Sequence, residues 1–242
     1  MATEKSNETF RLPITDTTLA GIRRDGKDSG RGQVDGITWQ DVERVCVLAE
    51  TEGTLAGLRD AAMIRLMSDC LLRISEVVAV DVEDLKGKTL AIGSSKTDPE
   101  GRGENLYICE QTRRVLKRYR KIGNISEGAL FRRIRRGDHI HNERLTAHSA
   151  RRIIKQRAAD AGVEGFISGH SLSVGSAVSL AKAGASVIDM QVAGRWKSAQ
   201  MPAHYAKAEL AERGAIARFK DGLKKTCSVE RSASVARRGR EM

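Results

Sequence analysis

The sequence predicts a mainly α-helical fold carrying a small antiparallel β-sheet. Three observations lead there. Apolar residues recur at helical spacing along most of the chain, often behind a capping Thr or Ser. Only two short apolar strips, Thr89–Ile92 and Asn105–Ile108, read as strands, and the turn-rich SSKTDPEGRGE between them makes a hairpin. Finally, 242 residues of which 40% are apolar suffice for a sizeable core.

Residues 1–36 are polar and Gly-rich; Thr18–Arg24 reads as the end of a helix and Asp25–Gly36 as a linker with little to bury. Thr38 caps the next segment, in which Val42, Val45, Cys46 and Ala49 form a helical stripe. Leu58–Leu71 is apolar on most sides, as expected of a buried helix. After the hairpin, with Lys96 at the entrance to its loop, helices are expected over about Glu110–Lys121 and Ala147–Ala161. From Ser171, residues Val174, Ala177, Val178 and Ala181 share one face up to Gly184, and Ser186 with Asp189 has capping-box spacing for another helix. A last helix is expected over about Glu209–Leu223. The organisation is thus a remnant of an N-terminal helix with a flexible linker over 1–36, a globular domain over 37–225, and a basic, disordered tail over 226–242.

The 42 Lys and Arg exceed the 31 Asp and Glu by 11. Such an excess suits a phosphate-rich partner; a solvated surface is the plainer alternative. Aromatic residues are only 4%, too few for a base-stacking single-strand binder, so duplex DNA fits better. The chain shows neither an 18-residue apolar run nor a secretory signal pattern, which makes a cytoplasmic protein the expectation. Cys46, Cys70, Cys109 and Cys227 form no CxxC pair and suggest neither structural zinc nor a disulfide framework. Gly87-Lys88-Thr89 is no phosphate loop, because Val82 stands where that motif needs glycine. His139-Ile140-His141 reads as part of a charged loop, with no third ligand at suitable spacing for a metal.

Arg73 in LLRISE, Lys96 in GSSKTD, His170 in SGHSLSVGSA, Trp196 in AGRWKS and Tyr205 in AHYAKA form an ordered set. Singly, each has an ordinary reading: Arg73 and Glu76 as a surface pair, Lys96 as a turn lysine, His170 as a cap, Trp196 as core. Together they resemble the catalytic domain of the tyrosine recombinases, the phage-integrase family, and its Cre-type branch in particular. The resemblance runs from about Ile14 to Phe219 and is strongest in LLRISE, in the Gly169-His170 block, and in Trp196 placed nine residues before Tyr205. It implies the DNA breaking-and-rejoining catalytic fold, double-stranded DNA as partner, and no metal, nucleotide or other cofactor. It also implies site-specific recombination, integration or excision, on bacterial or phage-like nucleoid DNA.

The residue types suit that chemistry. Conserving phosphodiester energy calls for a covalent intermediate, which the resemblance assigns to Tyr205 as nucleophile on the 3′-phosphate. Arg73 would fork onto phosphate oxygens that gain charge. Lys96 would protonate the departing 5′-oxygen, and His170 would hydrogen-bond the phosphate and assist Tyr205 deprotonation. Trp196 would donate its indole N–H, with Glu76 supporting the site.

Two departures qualify the expectation. Where the family carries a second arginine, three residues after the histidine, this chain has Ser173. Losing one such donor typically costs about 2.7–4 kcal/mol of transition-state stabilisation, so binding with very slow cleavage is expected. Natural decay and an engineered change would both leave such a serine. Second, only the last helix and linker of an N-terminal clamp domain would fit before Thr38, as in a catalytic fragment or a short relative. Ala215, Ile216 and Phe219 resemble the segment that docks into a neighbouring protomer of a cyclic tetramer; folding back on its own core is the alternative for that helix. Two other functions stay open: a catalytically silent DNA-binding relative, and a DNA-relaxing enzyme resembling type IB topoisomerases.

Overall fold

Thr38 opens the first helix with a reciprocal cap. Its hydroxyl accepts from the Asp41 backbone N–H at 3.3 Å, while its own N–H donates to the Asp41 carboxylate at 3.1 Å. Caps of this kind are typically worth about 1 kcal/mol. In this computed structural model, which describes residues 35–93 and 103–213 with side chains as far as Lys207, the cap leads into α1 (Trp39–Thr51), which buries the predicted stripe of Val42, Val45, Cys46 and Ala49.

The central element is α2 (Leu55–Asp69), with 13 of its 15 residues buried. It starts ahead of the expected Leu58 because Thr54 caps Gly57 N–H and Asp138, from a distant turn, accepts from the N–H groups of Leu55 and Ala56 at 2.8 and 3.2 Å. Three of its buried residues are charged, and each is paired. Asp60 accepts from Arg59 and Arg157, and Arg65 donates to Glu43 and Glu50. Removing one partner of a buried pair leaves an uncompensated charge, so these networks also fix how α1, α2 and the later helices meet.

Leu71, at φ 47°, turns the chain out of α2 into α3 (Ile74–Ala79). A 3₁₀ turn (Val82–Asp84) then leads to β1 (Leu85–Lys86), β2 (Thr89–Ile92) and β3 (Glu104–Tyr107), a sheet in the order β1-β2-β3. Its β2–β3 arm is the predicted hairpin, antiparallel with Leu90 opposite Leu106. Lys96 and the loop around it lie outside the described residues. The basic helix α4 (Glu110–Ile122) follows, burying Val115, Leu116 and Tyr119.

A second small sheet was not anticipated. Strands β4 (Arg132–Arg135) and β5 (His139–Arg144) pair antiparallel, so His139-Ile140-His141 lies in a strand rather than a loop. Gly137 and Asp138, both at positive φ, turn the chain, and Ile134 faces Ile140 across the pair. Dense Arg and His masked this alternation, although Gly-Asp between two apolar-polar runs is a hairpin signal. Then comes α5 (Ala147–Asp160), capped by Thr146.

The last three described helices are α6 (Ser171–Lys182), α7 (Val187–Gly194) and α8 (Gln200–Arg213). They share a cluster of Ala177, Ala181, Met190 and Ala206, with Trp196 and Tyr205 against it. Ser186 and Asp189 form the predicted capping box. α8 begins at Gln200, ahead of the Glu209 start expected for the last helix, so Tyr205 is helical; Pro202 is tolerated in its first turn, where backbone N–H groups have no intrahelical partner. Asp35 and Gly36, expected in the linker, belong to the domain: the Phe166 N–H donates to Asp35 at 2.7 Å, and Ile37 N–H donates to Ser171 O at 2.9 Å. Thr18–Arg24, the part of the expected last helix past Arg213 with Ala215, Ile216 and Phe219, and the tail lie outside the described residues. Among the described residues no helix is long and apolar enough to cross a membrane, and no His/Cys/Asp/Glu group could hold a metal ion.

Candidate active site

Arg73 stands at the N-cap of α3, where the Leu71 turn aims it out of the core. Glu76, one helical turn on, holds it at both ends. The Arg73 backbone N–H donates to Glu76 Oε2 at 2.8 Å, and Arg73 Nη1 donates to Oε1 at 2.9 Å. The Arg73 side chain remains 39% exposed, whereas Glu76 is 10% exposed. One guanidinium edge is fixed and the remainder faces solvent.

A second guanidinium reaches the same carboxylate. Arg195 Nη2 donates to Glu76 Oε2 at 2.7 Å and Nη1 to Oε1 at 3.3 Å, from a side chain only 7% exposed. Burial pushes the Glu76 carboxyl up, but the Arg195 hydrogen bond, the Arg73 backbone N–H and the two guanidinium charges outweigh it and hold Glu76 below the usual carboxylate range. Arg195 Nε also lies 3.8 Å from Glu104 on β3. The residue ends α7 in the left-handed region, φ 53° and ψ 40°, a conformation costing a non-glycine residue roughly 1–2 kcal/mol.

The next residue is Trp196. A Cβ on Gly194 would lie 2.4–2.6 Å from three of its ring carbons, so the indole lies flat over the last turn of α7 only because Gly194 has no side chain. The other side of this corner is Tyr205 on α8, its ring 5.8 Å from that of Trp196 and inclined by 43°. Tyr205 is half-buried, and burial raises its hydroxyl above the ordinary value of 10.0. His204 meets it edge-on at 5.7 Å.

His170 sits on the exposed turn opening α6. Gly169 seats that turn: a Cβ there would lie 2.3 Å from Ile74 Cδ1, so the backbone presses against the residue following Arg73. Ser173, half-buried, follows one helical turn after His170. Contacts thus run from Arg73 through Glu76 and Arg195 to Trp196 and Tyr205, with His170 on a turn packed against α3. Lys96 is the one predicted site residue outside the described part. Arg195 carried no flag in the sequence. Its one available signal was an arginine at a helix end directly before the motif tryptophan, and that does not reveal a partner 119 positions away.

Residues 37–212 match the model of the phage integrase family. The chain belongs to that family. It is 32% identical over 200 residues to an integrase/recombinase XerD homolog of Selenomonas ruminantium, an alignment covering 77% of this chain and 58% of the relative. It is 25% identical over 219 residues to the Cre recombinase of Escherichia phage P1, covering 82% and 64%. The chain therefore spans less than two thirds of either relative. Among solved structures, XerA recombinase superposes with a TM-score of 0.59 at 14% identity, covering 76% of this chain and 64% of that one. A λ integrase dimer bound to a COC′ core site gives 0.53 at 16% identity, covering 82% and 58%. The tyrosine recombinase catalytic fold of this phage-integrase domain is thus shared with relatives of very different sequence.

Proposed function

We propose that this phage-integrase domain breaks and rejoins duplex DNA in site-specific recombination, through a covalent bond between Tyr205 and a 3′-phosphate. The observation that carries this reading is the unbroken line of contacts from Arg73 through Glu76, Arg195 and Trp196 to Tyr205, which sets a half-exposed cation and a hydroxyl nucleophile around one corner of the domain.

In the forward step the Tyr205 oxygen bonds to phosphorus as the bond to the 5′-oxygen breaks. The phenol proton passes to His170, and Lys96 gives a proton to the departing 5′-oxygen. Arg73 and the Trp196 indole N–H stabilise the charge gathering on the non-bridging oxygens. Rejoining is the reverse, with a 5′-hydroxyl displacing Tyr205. Exposed Arg133, Arg135 and Arg136 near the β4–β5 turn, and Arg151, Arg152 and Lys155 on α5, provide phosphate contacts, in keeping with a net charge of +11. XerH bound to a palindromic difH substrate and the λ integrase dimer bound to a COC′ core site share this fold, which supports a duplex partner. Assembly as a cyclic tetramer through Ala215, Ile216 and Phe219 belongs to the same reading; sedimentation of the protein–DNA complex tests it, and complexes no larger than one protomer per site would count against it.

Ser173 favours a second reading, a DNA-binding relative that no longer cleaves, because a serine hydroxyl donates one hydrogen bond and brings no charge. Covalent trapping on supercoiled plasmid under denaturing conditions separates the two. This chain, Ser173→Arg, and Ser173→Arg with Tyr205→Phe are compared. An adduct that appears with Ser173→Arg and vanishes with Tyr205→Phe supports recombinase chemistry slowed by Ser173. Binding without adduct in all three supports the silent relative, and relaxation without strand exchange points to a topoisomerase-like enzyme.

A further inference from the structure

We propose that Arg195 is a positioning residue of the DNA-cleaving site, a buried cation that offsets Glu76 so that Arg73 presents its positive charge to the scissile phosphate. The proposal rests on the recombinase reading above.

Charge and placement carry it. Glu76 touches Arg73 twice, and with no second cation this carboxylate would cancel the guanidinium it holds. Arg195 closes on both Glu76 oxygens, making a hydrogen-bonded cluster of two guanidiniums and one carboxylate with a net charge of +1; Glu104, 53% exposed and 3.8 Å from Arg195 Nε, lies outside it and is screened by solvent. Ser173 brings no charge, and among the described residues the cations hydrogen-bonded to Glu76 are Arg73 and Arg195. Arg195 is too buried to meet DNA, so its charge bears on Arg73 through Glu76, whereas Arg73 stays open to solvent.

The backbone agrees. Arg195 occupies a left-handed helix end that suits glycine, and retaining a long charged side chain in a strained conformation needs a compensating interaction. The Glu76 fork is that interaction. It also anchors the end of α7 to α3, and since Trp196 follows directly, the same contact sets the distance between the Arg73 and Trp196 parts of the site. Glu104, 3.8 Å from Arg195 Nε, extends the anchor to β3, the strand that returns from the Lys96 loop.

The test is a rescue experiment in the Ser173→Arg background. Arg195→Gln leaves Glu76 to cancel Arg73 and is expected to lower the rate of covalent adduct formation by about ten- to a hundredfold, the range met when the outer hydrogen-bond partner of a metal-ligating residue is lost. Adding Glu76→Gln removes the charge that cancels Arg73 and is expected to recover most of that loss, which no purely structural role for Arg195 would produce. Arg195→Lys, which keeps charge without the fork, is expected to fall between parent and Arg195→Gln and remains informative if Arg195→Gln does not fold. Carboxyl NMR of the free protein should show Glu76 titrating higher in Arg195→Gln than in the parent. A double variant no better than Arg195→Gln, or a Glu76 titration that does not move, overturns the proposal. A Ser173→Arg parent that never forms an adduct instead overturns the recombinase reading and removes the site role of Arg195 with it; the titration still reports the coupling.

Discussion

Trp196 and Tyr205 stand ring to ring, 5.8 Å between centroids, because Gly194 leaves room for the indole to lie along the end of α7. Nine residues separate them, and the left-handed turn at Arg195 brings the chain round so that α8 presents Tyr205 to the indole. The small cluster beneath, of three alanines and Met190, offers little apolar area, so this contact is a large part of what orients Tyr205.

Gly194→Ala tests that arrangement. Replacing a helical glycine by alanine ordinarily stabilises by up to about 1 kcal/mol. Here the added methyl would lie 2.4–2.6 Å from the indole carbons, so the effect reverses. The expected result is a lower thermal midpoint and altered tryptophan emission, with reduced adduct in the Ser173→Arg background. A midpoint at or above the parent's, with unchanged emission, would show that Gly194 does not hold the ring.

Sequence patterns revealed the elements whose causes are local. Thr38 with Asp41 and Ser186 with Asp189 are capping boxes made within one turn, and the buried character of α2 is written in its composition. The motif blocks single out Arg73, Trp196 and Tyr205, which the fold gathers around one corner; their roles belong to the proposal. Features made by distant partners stayed hidden. Arg195 reads as a solvated charge until Glu76 is brought to it by the fold, and α2 begins early because Asp138 caps it from the β4–β5 turn. That hairpin itself was hidden by its charge: only Ile134 and Ile140 mark the inward face among arginines and histidines.

Gly175 carries a second steric prediction. A Cβ there would lie 1.8 Å from the Ile37 carbonyl oxygen, so α6 and the segment entering α1 touch backbone to backbone. Neither partner can swing aside as a flexible side chain would. Gly175→Ala should destabilise the fold by about 3 kcal/mol or more, read as a drop in the urea midpoint. A loss below about 1 kcal/mol would mean that the segment moves away at little cost.

Glu76 makes stability depend on acid. Burial raises its carboxyl, but Arg195 and Arg73 bring it below its ordinary value of 4.5. The unfolded chain therefore binds the proton more readily, and ionised Glu76 stabilises the fold fully above pH 4.5, a contribution lost as the pH falls through the lower folded value. Glu76→Gln should be less stable than the parent at neutral pH, and the gap should narrow in strong acid. Urea unfolding at neutral pH and at about pH 3, below the ordinary carboxylate range, measures it. A gap of the same size at both would mean that the carboxylate charge contributes nothing.

On the proposed recombinase reading, Tyr205 sets the pH dependence of the chemistry. Its hydroxyl is raised above 10.0 by burial, so at pH 7 less than about 0.1% would be ionised without help. On that reading a base accepts the proton as the phosphorus bond forms, and the proposal gives His170 that task. In the Ser173→Arg background, His170→Ala should lower the adduct rate at neutral pH by about a hundredfold, within the range for general-base catalysis. The remaining rate should climb about tenfold per pH unit towards alkaline conditions, because hydroxide then controls the phenolate fraction. A variant whose rate stays parallel to the parent's across the whole range would remove His170 from proton transfer and leave it a phosphate-binding role.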